Sequence, residues 1–255
     1  SLDAVTIDGD LTLATNDLEA CTLIINAGNT VTVTADQYLR VNGDITVDGS
    51  LIVEHQGSVV QVDPSATVTK NAGGVINVEV TTPVLSPRDF MLMGTPMSAE
   101  TREGVYTDAF LVLDFTPQNF IPHPLVPAGG TNFADDDGDF YNEYSGGLTV
   151  GEGYLVRPQT GYSHPTPESF DMTYTLGTLN NGNISHPAIF NNITDNPDGT
   201  PNIFGNPYPS AISANDFING NPLINEVYFW EHLTPPSSSF PGANPTMNFS
   251  MDDLS

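Results

Sequence analysis

The sequence predicts an all-β chain in two parts. An N-terminal parallel β-helix-like solenoid covers residues 1–82, and an antiparallel β-sandwich-like domain with long loops covers 83–255. Three observations carry this. Gly and Pro together fill 44 of 255 positions, and both residues punctuate regular structure into short pieces. Apolar and polar residues alternate with period two, as in Val31-Thr-Val33-Thr and Ile45-Thr-Val47. Finally, residues 1–82 hold one aromatic, Tyr38, whereas all 13 Phe stand at or after Phe90.

In the first part the pairs Leu39/Val41, Ile45/Val47 and Leu51/Val53 advance by six residues. Gly43 and Gly49 keep the same step, and Gly57 departs from it by two. Strand, glycine bend and strand at this pitch suit the rungs of a β-helix, with apolar pairs inward and Asp44, Asp48 and Asp63 facing water. Hairpins in a sandwich are the alternative, since Asn42-Gly43 and Asp48-Gly49 are also hairpin turns. Cys21, beside Leu23-Ile24-Ile25, reads as a small buried hydrophobe, and a lone cysteine excludes an intrachain disulfide.

The run Thr81-Thr-Pro-Val-Leu-Ser-Pro87 reads as the connection to a second, separate core built from rings. Strands are expected at Phe110–Phe115, Gly153–Arg157, Phe170–Leu176 and Val227–Trp230, with a short helix at Ala211–Ile218. Asp195-Asn-Pro-Asp198-Gly199 is turn chemistry.

Charge excludes whole classes of function. Thirty-one acidic residues against 5 basic ones leave a formal charge of −26. Such a surface repels a nucleic-acid backbone and an anionic membrane, and it favours divalent cations wherever carboxylates converge. No apolar run is long enough to span a bilayer. His55, His123, His164, His186 and His232 lack the close spacing of a metal-binding helix. Gly-x-Ser-x-Gly and phosphate-binding glycine loops do not occur. A β-helix polysaccharide lyase would need a basic residue, and the first part offers only Arg40 and Lys70.

The sharpest chemical feature is Asp135-Asp136-Asp137-Gly138-Asp139, followed by Tyr141 and Glu143. Alternate carboxylates in a tight loop can converge on a hard cation, so Asp135, Asp137, Asp139, a Tyr141 carbonyl and Glu143 form a candidate Ca²⁺ site. The pattern departs from the helix-flanked calcium loop, because Gly138 stands fourth and no glutamate stands twelfth. A solvated acidic turn is the alternative. Phe140, Tyr141, Tyr144 and Trp230 could stack on sugar rings, or belong to the core.

The second part carries an ordered string of motifs. They are Gly151-Glu-Gly153-Tyr154-Leu-Val156, Leu176-Gly-Thr-Leu-Asn180-Asn-Gly182, Asn202-Ile-Phe-Gly205-Asn206-Pro207-Tyr208-Pro209-Ser210-Ala211 and Tyr228-Phe-Trp230. This string resembles a module of large exported proteins of Bacteroidota, chiefly marine flavobacteria, of the type IX secretion cargo kind. The residues before it, with Cys21–Gly28 and Gly57–Val62, resemble the segment that precedes that module. The resemblance implies an extracellular or cell-surface location and contact with the type IX secretion machinery during export. It also implies a piece of a longer polypeptide, cut short of a sorting domain at Asp252-Asp-Leu-Ser255. It carries over no catalytic residue. The expectation is a non-enzymatic structural or adhesive segment, whose partners would be surface glycans or other copies of itself. The alternatives are a carbohydrate-binding module and a β-helix lyase. Gly205-Asn-Pro-Tyr-Pro209 is expected to be a rigid turn that packs Tyr208.

Overall fold

A computed structural model describes residues 2–124, 135–161, 165–191, 199–224 and 226–229. The chain begins as a three-sided coil of very short strands. The first turn holds β1 (Ala4–Ile7), β2 (Leu11–Leu13) and β3 (Leu18–Ala20). The second holds β4 (Thr22–Ile25), β5 (Thr30–Val33) and β6 (Tyr38–Val41). The third holds β7 (Ile45–Val47), β8 (Ser50–Val53) and β9 (Ser58–Gln61), and β10 (Val68–Lys70) and β11 (Val75–Thr81) begin a fourth. Equivalent strands stack in parallel into three walls, β1-β4-β7-β10, β2-β5-β8-β11 and β3-β6-β9. The solenoid is thus the observed fold of the first part.

Register places like on like. Leu23 pairs with Ile45, Val31 with Leu51 and Leu39 with Val59, and all six are essentially inaccessible to water. Strands of three or four residues cannot hold themselves, so the stacked interior does: each such side chain contributes about 1.5–3 kcal/mol on burial. The six-residue step of the sequence marks one wall and not one turn. Leu39/Val41, Ile45/Val47 and Leu51/Val53 sit on three different sheets, and the full turn from Leu39 to its partner Val59 takes steps of six, six and eight, because each wall must aim its own residues inward.

The corners carry the acidic residues. After β1, β4, β7 and β10 the chain places Asp8, Asn26, Asp48 and Asn71 one above another. Asn26 Nδ2 donates to Asp8 and Asn71 Nδ2 to Asp48, so charge alternates with amide along the column. At other corners Asp10, Asp17 and Asp44 accept the backbone N–H of Thr30, Tyr38 and Thr67 in the next turn. Gly49 is required by space: a Cβ there would lie 2.2 Å from Asn29 O and 2.5 Å from Asn26 O. Cys21 departs from expectation. It is exposed, because the bend between β3 and β4 breaks the alternation and turns Ala20 inward instead.

The second part contributes β12 (Met91–Met93), a short helix α1 (Arg102–Val105), β13 (Leu111–Phe115), β14 (Tyr141–Glu143), β15 (Tyr154–Arg157), β16 (Asp171–Tyr174) and the helix α2 (Ala214–Gly220). An antiparallel sheet runs in the order β12-β15-β13-β14, with β15 buried along its whole length. Three expected strands are present as β13, β15 and β16. The fourth is corrected: residues 227–229 are irregular and Phe229 is 62% exposed, since an apolar run without alternation needs cover on both faces. The expected helix starts three residues later than anticipated, where the Ser213 hydroxyl accepts the Asp216 N–H and caps it.

Two separate cores were expected, but the buried apolar residues form one continuous cluster from Ile7 to Leu179. The reason is β16, which leaves the second part and pairs antiparallel with β11, setting Tyr174 against Val78 and Met172 against Val80. The solenoid's last turn is closed on the other walls too. Pro209 O accepts the Val59 N–H of β9, and Asn181 Nδ2 donates to Asp63 O and Ala66 O. Lys70 at the end of β10 donates to Thr175 O. An open solenoid end is a row of unpaired backbone groups, and here the second part takes them up. Among the described residues, no helix is long and apolar enough to cross a membrane.

Candidate metal-binding turn and adjoining cleft

The acidic turn is built where the chain leaves the sheet after β13. A 3-10 turn at Pro117–Asn119 leads to Pro122, which bridges antiparallel to Asp135. Asp135 then organises both sides: Oδ1 accepts the Ile121 N–H and Oδ2 accepts the Gly138 N–H. Gly138 turns the chain with φ +84°, a conformation that favours glycine. Asp137 Oδ1 accepts the Asp139 N–H, and Asn119 Nδ2 donates to Asp139 O.

This geometry brings one oxygen from each of Asp135, Asp137 and Asp139 within 4.8 Å of one another, and the three could hold a metal ion. Asp135 is the least exposed of them. The Asp139 carboxyl is pushed above its ordinary range, by loss of surrounding water first and then by the carboxylates of Asp137, Asp135 and Asp136. The other two expected ligands lie on β14. Tyr141 stands opposite Phe115, its ring 5.4 Å from that of Phe115 and 4.4 Å from Phe140, and burial pushes its hydroxyl far up. Glu143 stands exposed opposite Leu113, outside the three-carboxylate group.

The aromatic candidates for sugar stacking pack into the protein. Phe140 is buried, and Tyr144 lies 4.8 Å from the Tyr154 ring with its hydroxyl donating to Gly147 O. Trp230 lies outside the described residues, as do Asp195–Asp198, His164 and His232. Arg40 forms an exposed ion pair with Glu19 at 3.4 Å.

A cleft of about 280 Å³ opens beside the same segment and was not foreseen from sequence. Asp114 of β13 lines it together with Glu152 and His186. Asp114 Oδ1 is shielded from water without a hydrogen-bond partner. Its carboxyl is pushed up, first by burial and then by the Glu152 charge. Glu152 Oε2 accepts the Tyr154 hydroxyl, and the His186 ring sits edge-on to Phe204 at 5.9 Å.

The motif string explains how this wall is made. Gly151-Glu-Gly153 lies against Phe204-Gly205: Glu152 bridges Phe204, and the Gly205 N–H donates to Gly151 O. A Cβ on Gly205 would meet Glu152 O at 2.4 Å, so the two segments touch backbone to backbone. Asn180 Nδ2 donates to Thr95 O and Pro207 O, and the Tyr208 hydroxyl donates to Gly182 O. Tyr208 is therefore packed as expected. The signal that could have flagged Glu152 was its place between two such glycines.

These features define a β-solenoid protein, closed at one end by an antiparallel β region that also carries a carboxylate-rich turn. The chain belongs to the family described as a domain of unknown function, DUF8693, whose model matches residues 2–255. No curated protein and no solved structure matches it.

Proposed function

We propose that the chain is a non-enzymatic structural or adhesive segment of an exported bacterial surface protein, stabilised by Ca²⁺ at Asp135, Asp137 and Asp139. The observation that carries the reading is the convergence of three carboxylates at an exposed turn that ties β14 to the segment after β13. All-oxygen donors favour a hard cation, and a site with two exposed carboxylates is of the weak kind that fills at extracellular calcium levels. The acidic composition and the resemblance to type IX secretion cargo support the location. A rod of stacked turns sealed by its own neighbouring region suits a load-bearing or spacing role.

Thermal unfolding tests it. With Kd about 1 mM, as in extracellular modules, 10 mM Ca²⁺ should add roughly 1.4 kcal/mol, or a rise in Tm of about 3–6 °C. Mg²⁺, which demands tight octahedral geometry, should give less, and Asp137→Ala should abolish the rise. An equal melting temperature with Ca²⁺ and with EDTA removes the calcium role.

A further inference from the structure

We propose that the cleft between Asp114, Glu152 and His186 binds a neutral, hydroxyl-rich ligand of single-sugar size. This goes beyond the calcium-stabilised structural reading and does not depend on it.

The cleft combines three features. It is a concavity of about 280 Å³, close to the lower end of the ~300–1,000 Å³ typical of small-ligand sites. Its two acidic groups are acceptors, beside the hydroxyl of Thr116 and the amide of Gln118: Asp114 has a carboxylate oxygen shielded from water and without a hydrogen-bond partner, and Glu152 spends one oxygen on Tyr154. A desolvated acceptor without a donor is unfavourable, and a small turn of the Asp114 carboxylate toward the cleft would let a ligand hydroxyl relieve it. Phe115, Ile203 and Phe204, with Pro117, Pro187 and Ile189, supply apolar surface that suits the C–H face of a sugar ring. Asn202, also at the wall, is spent internally, with Nδ2 on Ile189 O and Thr200 O and Oδ1 accepting the Ile189 N–H.

Two other ligand classes fit less well. A metal ion would need donors close together. Among the described residues, the group of His, Cys, Asp and Glu side chains that meets that condition is the aspartate turn, and Asp114, Glu152 and His186 are not such a group. An anionic sugar would meet two carboxylates in a protein of charge −26. An organic amine would satisfy a carboxylate but leave the His186 and apolar walls unused.

Saturation-transfer NMR and calorimetry on the full chain decide it. The probes are D-glucose, D-galactose and D-mannose, with D-galacturonate and putrescine for comparison, each at up to 50 mM. Neutral hexoses should bind in the millimolar range, and galacturonate at least tenfold more weakly. Asp114→Asn with Glu152→Gln should reduce hexose binding at least tenfold while the unfolding midpoint stays within a few degrees. His186→Ala supplies an independent variant at another lining residue and should also weaken binding. No transfer from any neutral hexose, tighter binding of putrescine, or binding unchanged in the variants would overturn the proposal. The calcium melt is a separate readout, so either result can fail alone.

Discussion

Glu100 is buried, 1% exposed, and its carboxylate braces β16, the strand that pairs with β11 of the solenoid. Oε1 accepts the Thr101 N–H at 2.9 Å. Oε2 accepts the N–H groups of Thr175 and Leu176, at 2.7 and 3.1 Å, just after β16. The strand that seals β11 is thereby fixed to the start of α1. Glu100→Gln keeps the shape and removes one acceptor. The amide oxygen will face the pair of donors, which leaves the Thr101 N–H against an NH₂ group. One buried unsatisfied donor costs about 1–3 kcal/mol, and the two surviving bonds fall from charge-assisted strength, about 1.5–3 kcal/mol each, to about 1. Relief from burying a charge offsets part of this. The net expectation is a loss of about 2–4 kcal/mol, read at pH 7 by urea unfolding followed with circular dichroism, m-value unchanged. The exposed Asp108→Asn should shift stability by less than ~0.5 kcal/mol. A Glu100→Gln loss no larger than that of Asp108→Asn would refute the account.

The other expectations concern the corners and the cleft. Gly49→Ala forces a Cβ into Asn29 O and Asn26 O and should cost about 2–4 kcal/mol, seen as a lower urea midpoint. Asn26→Asp would place three acids in a row with Asp8 and Asp48 and remove an amide donor. It should cost roughly 1–2 kcal/mol at low ionic strength, with part recovered in 0.5 M NaCl. Asp114 titrates above its unfolded range, so the fold binds its proton more tightly than the unfolded chain does. Its contribution is therefore favourable at low pH and is lost as pH rises through the raised value. Asp114→Asn should remove that part of the pH dependence and raise stability slightly at pH 7, by less than ~1 kcal/mol for a partly solvated group; Tm against pH for both proteins checks it.

Two levels of information separate cleanly here. The alternation of Val31-Thr-Val33 and the spaced pairs around Ile45 determined that short strands would stack apolar side chains inward, because period two leaves no other way to bury them. The step of six could not distinguish one wall from one turn, since only closure of three walls defines the coil. Asp135, Asp137 and Asp139 were legible because a glycine-bearing local turn brings them together. Tyr141 and Glu143 follow the same turn in sequence, and their pairing with Phe115 and Leu113 in β14 is a contact over 26 to 30 residues that no local pattern encodes. The apolar neighbours of Cys21 point to burial, but it is exposed, because a corner resets which side faces in.

The sequence by itself therefore determined the all-β character, the inward aliphatic ladder, the acidic surface and the carboxylate turn, all properties written in neighbouring residues. Tertiary structure alone decided how the solenoid is sealed and where the cleft lies. β16 joins β11 across 90 residues, and Asp114 meets Glu152 and His186 only after three distant segments pack. Such contacts depend on backbone approach at Gly153 and Gly205: the glycines mark that something comes close, and only the fold shows which segment does.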